Sequence, residues 1–171
     1  RAMSGEPITN DELMSLFEAA RWAPSSYNAQ PWRFIYALRD APAWQTFFDL
    51  LVEFNQSWAK DASALVVIVA RKTFEHNSQP SVTHAFDAGA AWENLALEAS
   101  ARNLVAHGMG GFDYAAAAAT LNVPDDFEVL AMVAIGKPGA KENLPSELQE
   151  REEPSDRKPL SEIVMEDRFR A

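Results

Sequence analysis

The stretch Ala20-Arg21-Trp22-Ala23-Pro24-Ser25-Ser26-Tyr27-Asn28-Ala29-Gln30-Pro31-Trp32 separates a helical pattern from a strand pattern, and the chain is read outward from it. Ala23 precedes a proline, which disfavours the α region, so a helix entering from the N-terminal side ends there. Ser25, Ser26, Asn28 and Gln30 then carry hydroxyls and carboxamides on backbone that regular structure does not consume. Such a loop reads either as a turn with local side-chain caps or as a cradle for a flat, polar-edged ligand.

Upstream, Thr9 and Glu12 have capping-box spacing, and Leu13, Leu16, Phe17 and Ala20 recur at helical spacing. They predict a helix from residue 9 or 10 to residue 22. Downstream, Trp32, Phe34, Tyr36 and Leu38 alternate with Arg33, Ile35 and Ala37, a strand pattern. A second helix is expected over residues 43–54, with Trp44, Phe47, Phe48 and Leu51 on one face. Residues 64–70 form an uninterrupted apolar run, as expected of a central strand buried on both faces.

Residues 73–83 are polar and read as a loop before the longest helix, residues 84–103. Its Ala88-Gly89-Ala90-Ala91 stretch is narrow and admits close approach of another backbone, within the chain or across a symmetric interface. Gly108 to Gly111 reads as a loop, Asp113 caps a short helix to residue 121, and residues 128–135 form another buried strand. Residues 140–158 turn to charge and proline, an extended surface arm, and residues 159–164 add a short edge strand. Helices and strands mix without regular βαβ alternation. The expected fold is therefore α+β, a mixed central β-sheet covered by helices, with an extended C-terminal arm. One domain is expected over residues 1–171, with a core at 1–139 and the arm at 140–171.

Composition narrows the function. With 47% hydrophobic residues the chain can bury a sizeable core. A formal charge of −10 opposes a general nucleic-acid binder, which needs a basic surface. The absence of cysteine removes disulfides, thiolate nucleophiles and Cys-based zinc sites. The longest apolar run, residues 62–70, is too short to span a membrane, and no apolar leader is visible, so a cytoplasmic protein is expected. Arg1 stands where a methionine would, so a native start upstream is expected as well.

The familiar catalytic signatures are missing. No G-x-G-x-x-G follows a strand, and there is no Walker loop, G-x-S-x-G elbow or H-E-x-x-H. His76, His84 and His107 lack ligand-like spacing, so no metal is assigned. Three other segments stay open on their residues alone. Gly108-Met109-Gly110-Gly111 is either a helix C-cap with a turn or backbone free to approach a ligand. Asn55 is either a helix C-cap or a ligand-facing amide. Arg157, in Asp156-Arg157-Lys158-Pro159-Leu160, is either a solvated charge among acidic neighbours or a fork for a phosphate.

Ala-Pro-Ser-Ser-x-Asn-x-Gln-Pro-Trp at residues 23–32 resembles the signature of the FMN-dependent nitroreductase family of flavoenzymes. Phe54-Asn55-Gln56-Ser57-Trp58, Gly108 to Asp113 and Arg157-Lys158-Pro159-Leu160 match the same family in order, and the resemblance runs from residue 1 to about residue 164. It implies that FMN meets Pro24, Ser25, Ser26 and Asn28 of the loop. It implies that the Asn55 amide meets the flavin edge or ribityl chain. It implies that the backbone of Met109, Gly110 and Gly111 faces flavin N5 and O4, and that Arg157 reaches the phosphate. It implies, too, that Arg1, in Arg1-Ala2-Met3, is the last element of an upstream arm that meets the same phosphate. Trp58 stands where some relatives carry a lysine, so that charged contact is absent.

The implied activity is an oxidoreductase using NADH or NADPH to reduce nitroaromatics, quinones or similar electron-poor acceptors by alternating hydride transfer in one shared pocket. No side chain is assigned a catalytic role. The resemblance also implies a homodimer in which the Pro24–Asn28 loop of one subunit meets the FMN held mainly by the other. Other flavin chemistry on the same scaffold, such as dehalogenation or ene reduction, and a non-catalytic flavin-binding protein are the alternatives.

Overall fold

A computed structural model describes residues 1–170 of the chain. Thr9 opens the first helix with the expected capping box: its side chain accepts from the Glu12 N–H while the Glu12 carboxylate accepts from the Thr9 N–H. Helix α1 (Asn10–Arg21) buries Leu13, Leu16 and Ala20, and Phe17 stacks on Phe34 at 5.3 Å. A 3-10 turn, Ser26–Asn28, follows in the loop before strand β1 (Trp32–Leu38).

The expected second helix is two helices, α2 (Trp44–Asp49) and α3 (Glu53–Ala59). The break has a nonlocal cause. The Val52 N–H donates to the Gly111 carbonyl at 3.1 Å and the Asp113 N–H to the Leu50 carbonyl at 2.9 Å, so backbone that would continue the helix pairs with a distant loop. Strand β2 (Ala64–Arg71), helix α4 (His84–Ala101), strand β3 (Val105–Met109), helix α5 (Tyr114–Thr120) and strand β4 (Phe127–Gly136) complete the body. Asp113 caps α5 as expected, accepting from the Ala116 N–H at 2.8 Å.

The α+β class expected from the sequence is observed, and the ladders are all antiparallel rather than mixed, in the order β1-β2-β4-β3. β2 sits inside the sheet with helices on both faces, which accounts for its unbroken apolar run. Leu65, Val67 and Val69 pack on one face with Phe47, Trp58 and Met132, while Val66, Ile68 and Ala70 pack on the other with Leu13, Leu16 and Leu95. β3 was expected as loop at Gly108 and Met109. Its Val-Ala-His-Gly-Met sequence has weak strand character, but pairing with β4 supplies the ladder. A β-carbon at Gly108 would lie 3.2 Å from the Trp92 ring, so glycine lets that ring approach the strand closely.

The segment expected as an arm begins inside the core. Leu144 and Leu148 are buried, the latter in helix α6 (Ser146–Gln149). Residues 153–164 are exposed throughout. The edge strand expected at 159–164 is instead helix α7 (Leu160–Ile163). Its backbone is taken by local bonds, Glu162 N–H to the Pro159 carbonyl and Val164 N–H to the Leu160 carbonyl, and it joins no ladder among the described residues. Ala171, the last residue of that arm, lies outside the described residues. Among the described residues no helix is long and apolar enough to cross a membrane.

Candidate functional site

The loop after α1 is strained and heavily tied. Tyr27, Asn28 and Gln30 have φ of 53°, 53° and 46°, a left-handed geometry that non-glycine residues rarely adopt. The Gln30 N–H donates to Ser25 Oγ at 3.0 Å, and Arg33 Nη1 donates to the Gln30 and Trp32 carbonyls. The Ser26 N–H donates to Asp87 Oδ2 on α4 at 3.1 Å. The Tyr27 ring meets Phe74 edge-on at 5.7 Å. Ser26 Oγ and the Asn28 carboxamide make no hydrogen bond among the described residues, and Pro24 is exposed.

A second cluster joins Asn55, Met109, Gly110 and Gly111. Asn55 is not a helix C-cap: it lies inside α3, buried, and its Nδ2 donates to the Gly111 carbonyl at 2.9 Å. A β-carbon at Gly111 would stand 2.7 Å from that nitrogen, so the contact requires glycine. The main-chain N–H groups of Gly110 and Gly111 have no acceptor among the described residues, and Asn55 Oδ1 is likewise unengaged. Gly110 is exposed and Gly111 half-buried, so these two adjacent donors beside the Asn55 amide are open to acceptor atoms from outside the chain. Trp58 is buried with its ring edge-on to His107 at 4.8 Å, and its Nε1 has no hydrogen-bond partner among the described residues.

The third group mixes both signs of charge. Arg1 lines an open cleft of about 460 Å³ with His107, Arg151, Glu152, Glu153 and Ser155. Its Nη1 donates to Glu152 Oε2 at 3.0 Å, and its main-chain nitrogen and the Ala2 N–H both donate to Glu152 Oε1. The pKa of His107, half-buried there, is pushed down to about 4, chiefly by burial. Arg157, two residues beyond Ser155, is exposed. Its Nη1 bonds the Ser155 carbonyl and hydroxyl and the Asp156 carbonyl, which leaves Nε and Nη2 without a partner among the described residues.

The strand order keeps the first group apart from the second. The Pro24–Asn28 loop feeds β1 and the glycine loop leaves β3, the two opposite edges of the sheet. Three strand spacings, roughly 14 Å, separate those edges. Asn55 and Gly111 meet within one chain, while Pro24, Ser25, Ser26 and Asn28 do not reach them.

The Nitroreductase family model matches residues 1–137. The chain belongs to the nitroreductase family. A crystal structure of an oxidoreductase containing FMN superposes on it with a TM-score of 0.95 at 46% identity, covering 99% of this chain and 87% of that one. Protein DrgA of Synechocystis is 30% identical over 76% of this chain and 74% of its own length. The oxygen-insensitive NADPH nitroreductase of Helicobacter acinonychis is 37% identical over a shorter stretch, 40% of this chain and 31% of its own. As a nitroreductase-family chain, it places the signature loop, the Asn55–Gly111 contact and the Arg157 segment on three separate elements.

Asp87 is absent from the sequence-derived set, although its carboxylate holds the signature loop. A signal for it exists. Asp87, Ala91, Leu95 and Ala99 recur at intervals of four along α4, and all four are buried. An acid on the apolar face of a helix needs a partner.

Proposed function

We propose that this chain is an FMN-dependent oxidoreductase of the nitroreductase type. It would take reducing equivalents from NADH or NADPH and deliver them to an electron-poor acceptor, such as a nitroaromatic or a quinone. The observation that carries this reading is the pair of free main-chain N–H groups at Gly110 and Gly111 beside the buried Asn55 amide. Its support is the 46% identity to an oxidoreductase containing FMN.

The donor set suits FMN in kind: amide donors for a ring edge, free hydroxyl and carboxamide groups, and a guanidinium with an open edge for a phosphate. FMN, when bound, supplies the hydride chemistry. Gly110 and Gly111 would donate to the ring edge and favour negative charge there, with Met109 anchoring the loop at the end of β3. Asn55 fixes that loop through the Gly111 carbonyl and keeps Oδ1 for a ligand donor. Arg157 and Arg1 would face the phosphate, although Arg1 already shares its charge with Glu152. No side chain is given a catalytic role.

Pro24, Ser25, Ser26 and Asn28 would serve the site of a second copy, because the sheet separates them from the glycine loop of their own chain. A homodimer also suits the exposed apolar row Val82, Phe86 and Leu97 on and just before α4, and the exposed Leu160, Ile163, Val164 and Phe169 near the C-terminus. Ala88 and Ala91, by contrast, are buried within the chain. We take residues 1–171 as one domain working in a cytoplasmic enzyme. Acid release and chromatography test the cofactor: FMN in amounts equimolar with the chain is expected, and a protein that neither carries FMN nor takes it up overturns the reading.

A further inference from the structure

We propose that Asp87 is the positioning residue that sets the Ser25–Asn28 loop in its ligand-ready shape. This rests on the reading that the loop meets a flavin. Asp87 lies in the first turn of α4 and is only 4% exposed. A carboxylate is rarely buried so far unless it is paired or hydrogen-bonded. Its Oδ2 accepts from the Ser26 N–H and from Thr83 Oγ1, both at 3.1 Å. The positive end of the 18-residue α4 favours its charge.

An acid that merely caps a helix takes the free N–H groups of that helix. Asp87 takes one from a loop 61 residues away. That loop holds three left-handed non-glycine residues, Tyr27, Asn28 and Gln30. Such geometry persists only where its surroundings over-determine it, and it gathers at ligand sites. The bonds from Ser25, Gln30 and Arg33 are local and close the loop on itself. The Asp87–Ser26 bond, with the Tyr27–Phe74 ring contact, ties it to the rest of the fold. With its N–H engaged by α4, Ser26 keeps Oγ free for a ligand, as Asn28 keeps its carboxamide. In the proposed dimer Asp87 would thus act, through Ser26, on the flavin of the partner subunit.

The test combines amide exchange of the apoprotein with FMN titration for the wild type, Asp87→Leu, Asp87→Asn and Thr83→Val. In Asp87→Leu the Ser26 amide should exchange, and FMN dissociate, at least about tenfold more readily, as expected for a lost bond to a charged group. Asp87→Asn still presents an acceptor oxygen and should stay within about threefold of wild type, with Thr83→Val between the two. A purely structural role would lower the thermal midpoint of both Asp87 variants alike and leave the FMN affinity of the folded protein unchanged, which overturns the proposal. Should Asp87→Leu fail to fold, unchanged Ser26 exchange and FMN affinity in Thr83→Val overturn it instead. A wild type that binds no FMN defeats the flavin reading itself. A wild type that binds FMN no better than a folded Asp87→Leu defeats this proposal alone.

Discussion

Asn55 and Gly111, on α3 and in the loop after β3, are joined by a 2.9 Å hydrogen bond from the Asn55 carboxamide to the Gly111 carbonyl. The same carbonyl accepts from the Val52 N–H at 3.1 Å, so the loop is fixed to the start of α3 from two directions. The Gly110 and Gly111 N–H groups have no acceptor among the described residues.

A methyl group at position 111 would lie 2.7 Å from Asn55 Nδ2 and 3.1 Å from Val52 Cγ2. Gly111→Ala is therefore expected to destabilise the fold by about 1–3 kcal/mol, the usual range for overpacking. In an Asn55→Ala background the nearer clash is gone, so the effect of Gly111→Ala should shrink. The two changes are then non-additive. Urea denaturation of the four proteins measures this, and strict additivity would show that the two side chains do not interact.

Arg157 offers the sharpest contrast between a surface charge and a phosphate contact. Among the described residues its Nη1 bonds only Ser155 and Asp156, so Arg157→Ala should hardly affect stability. Loss of a charged hydrogen bond to phosphate should weaken FMN binding by about ten- to a hundredfold. Titration followed by flavin fluorescence checks this, and equal affinity would leave Arg157 as a solvated charge.

What was legible in the sequence was local. The Thr9–Glu12 capping box, the Asp113 cap and the unbroken run of β2 depend on neighbours in the chain or on simple burial. The break between α2 and α3 was not legible, because its cause is the loop carrying Gly111 and Asp113. β3 was hidden for the same reason: Val-Ala-His-Gly-Met becomes a strand only beside β4. Of the candidate site, the Asn55 and Gly111 segments proved to touch. The position of Pro24–Asn28 at the far sheet edge depends on strand order, which no local pattern encodes.

The outward row on α4 predicts assembly. Phe86 is 80% and Leu97 60% exposed. The double substitution Phe86→Asp with Leu97→Asp should shift a dimer to monomer in sedimentation velocity and weaken FMN binding with it, because each site would lose the partner's Ser26 and Asn28. A stable, FMN-loaded monomer of the unsubstituted chain at micromolar concentration would contradict the shared site.

His107 gives a pH dependence. Its pKa in the folded chain is lowered from 6.5 to about 4. The unfolded chain therefore binds the proton more readily between those values, and stability falls as pH drops from about 6.5 toward about 4. Because the ring is partly exposed, solvent screening limits the effect to about 1 kcal/mol. Denaturation midpoints across this window should slope less in His107→Gln than in wild type, and identical slopes would assign the acid sensitivity elsewhere.

The central claim is tested most directly by an anaerobic titration of the FMN-loaded protein with NADH and NADPH, followed by addition of a quinone or a nitroaromatic. The absorption of oxidised flavin should bleach with at least one of the two nicotinamides and return when the acceptor is added. Flavin that stays oxidised with both would contradict the account and leave a protein that binds FMN without using it.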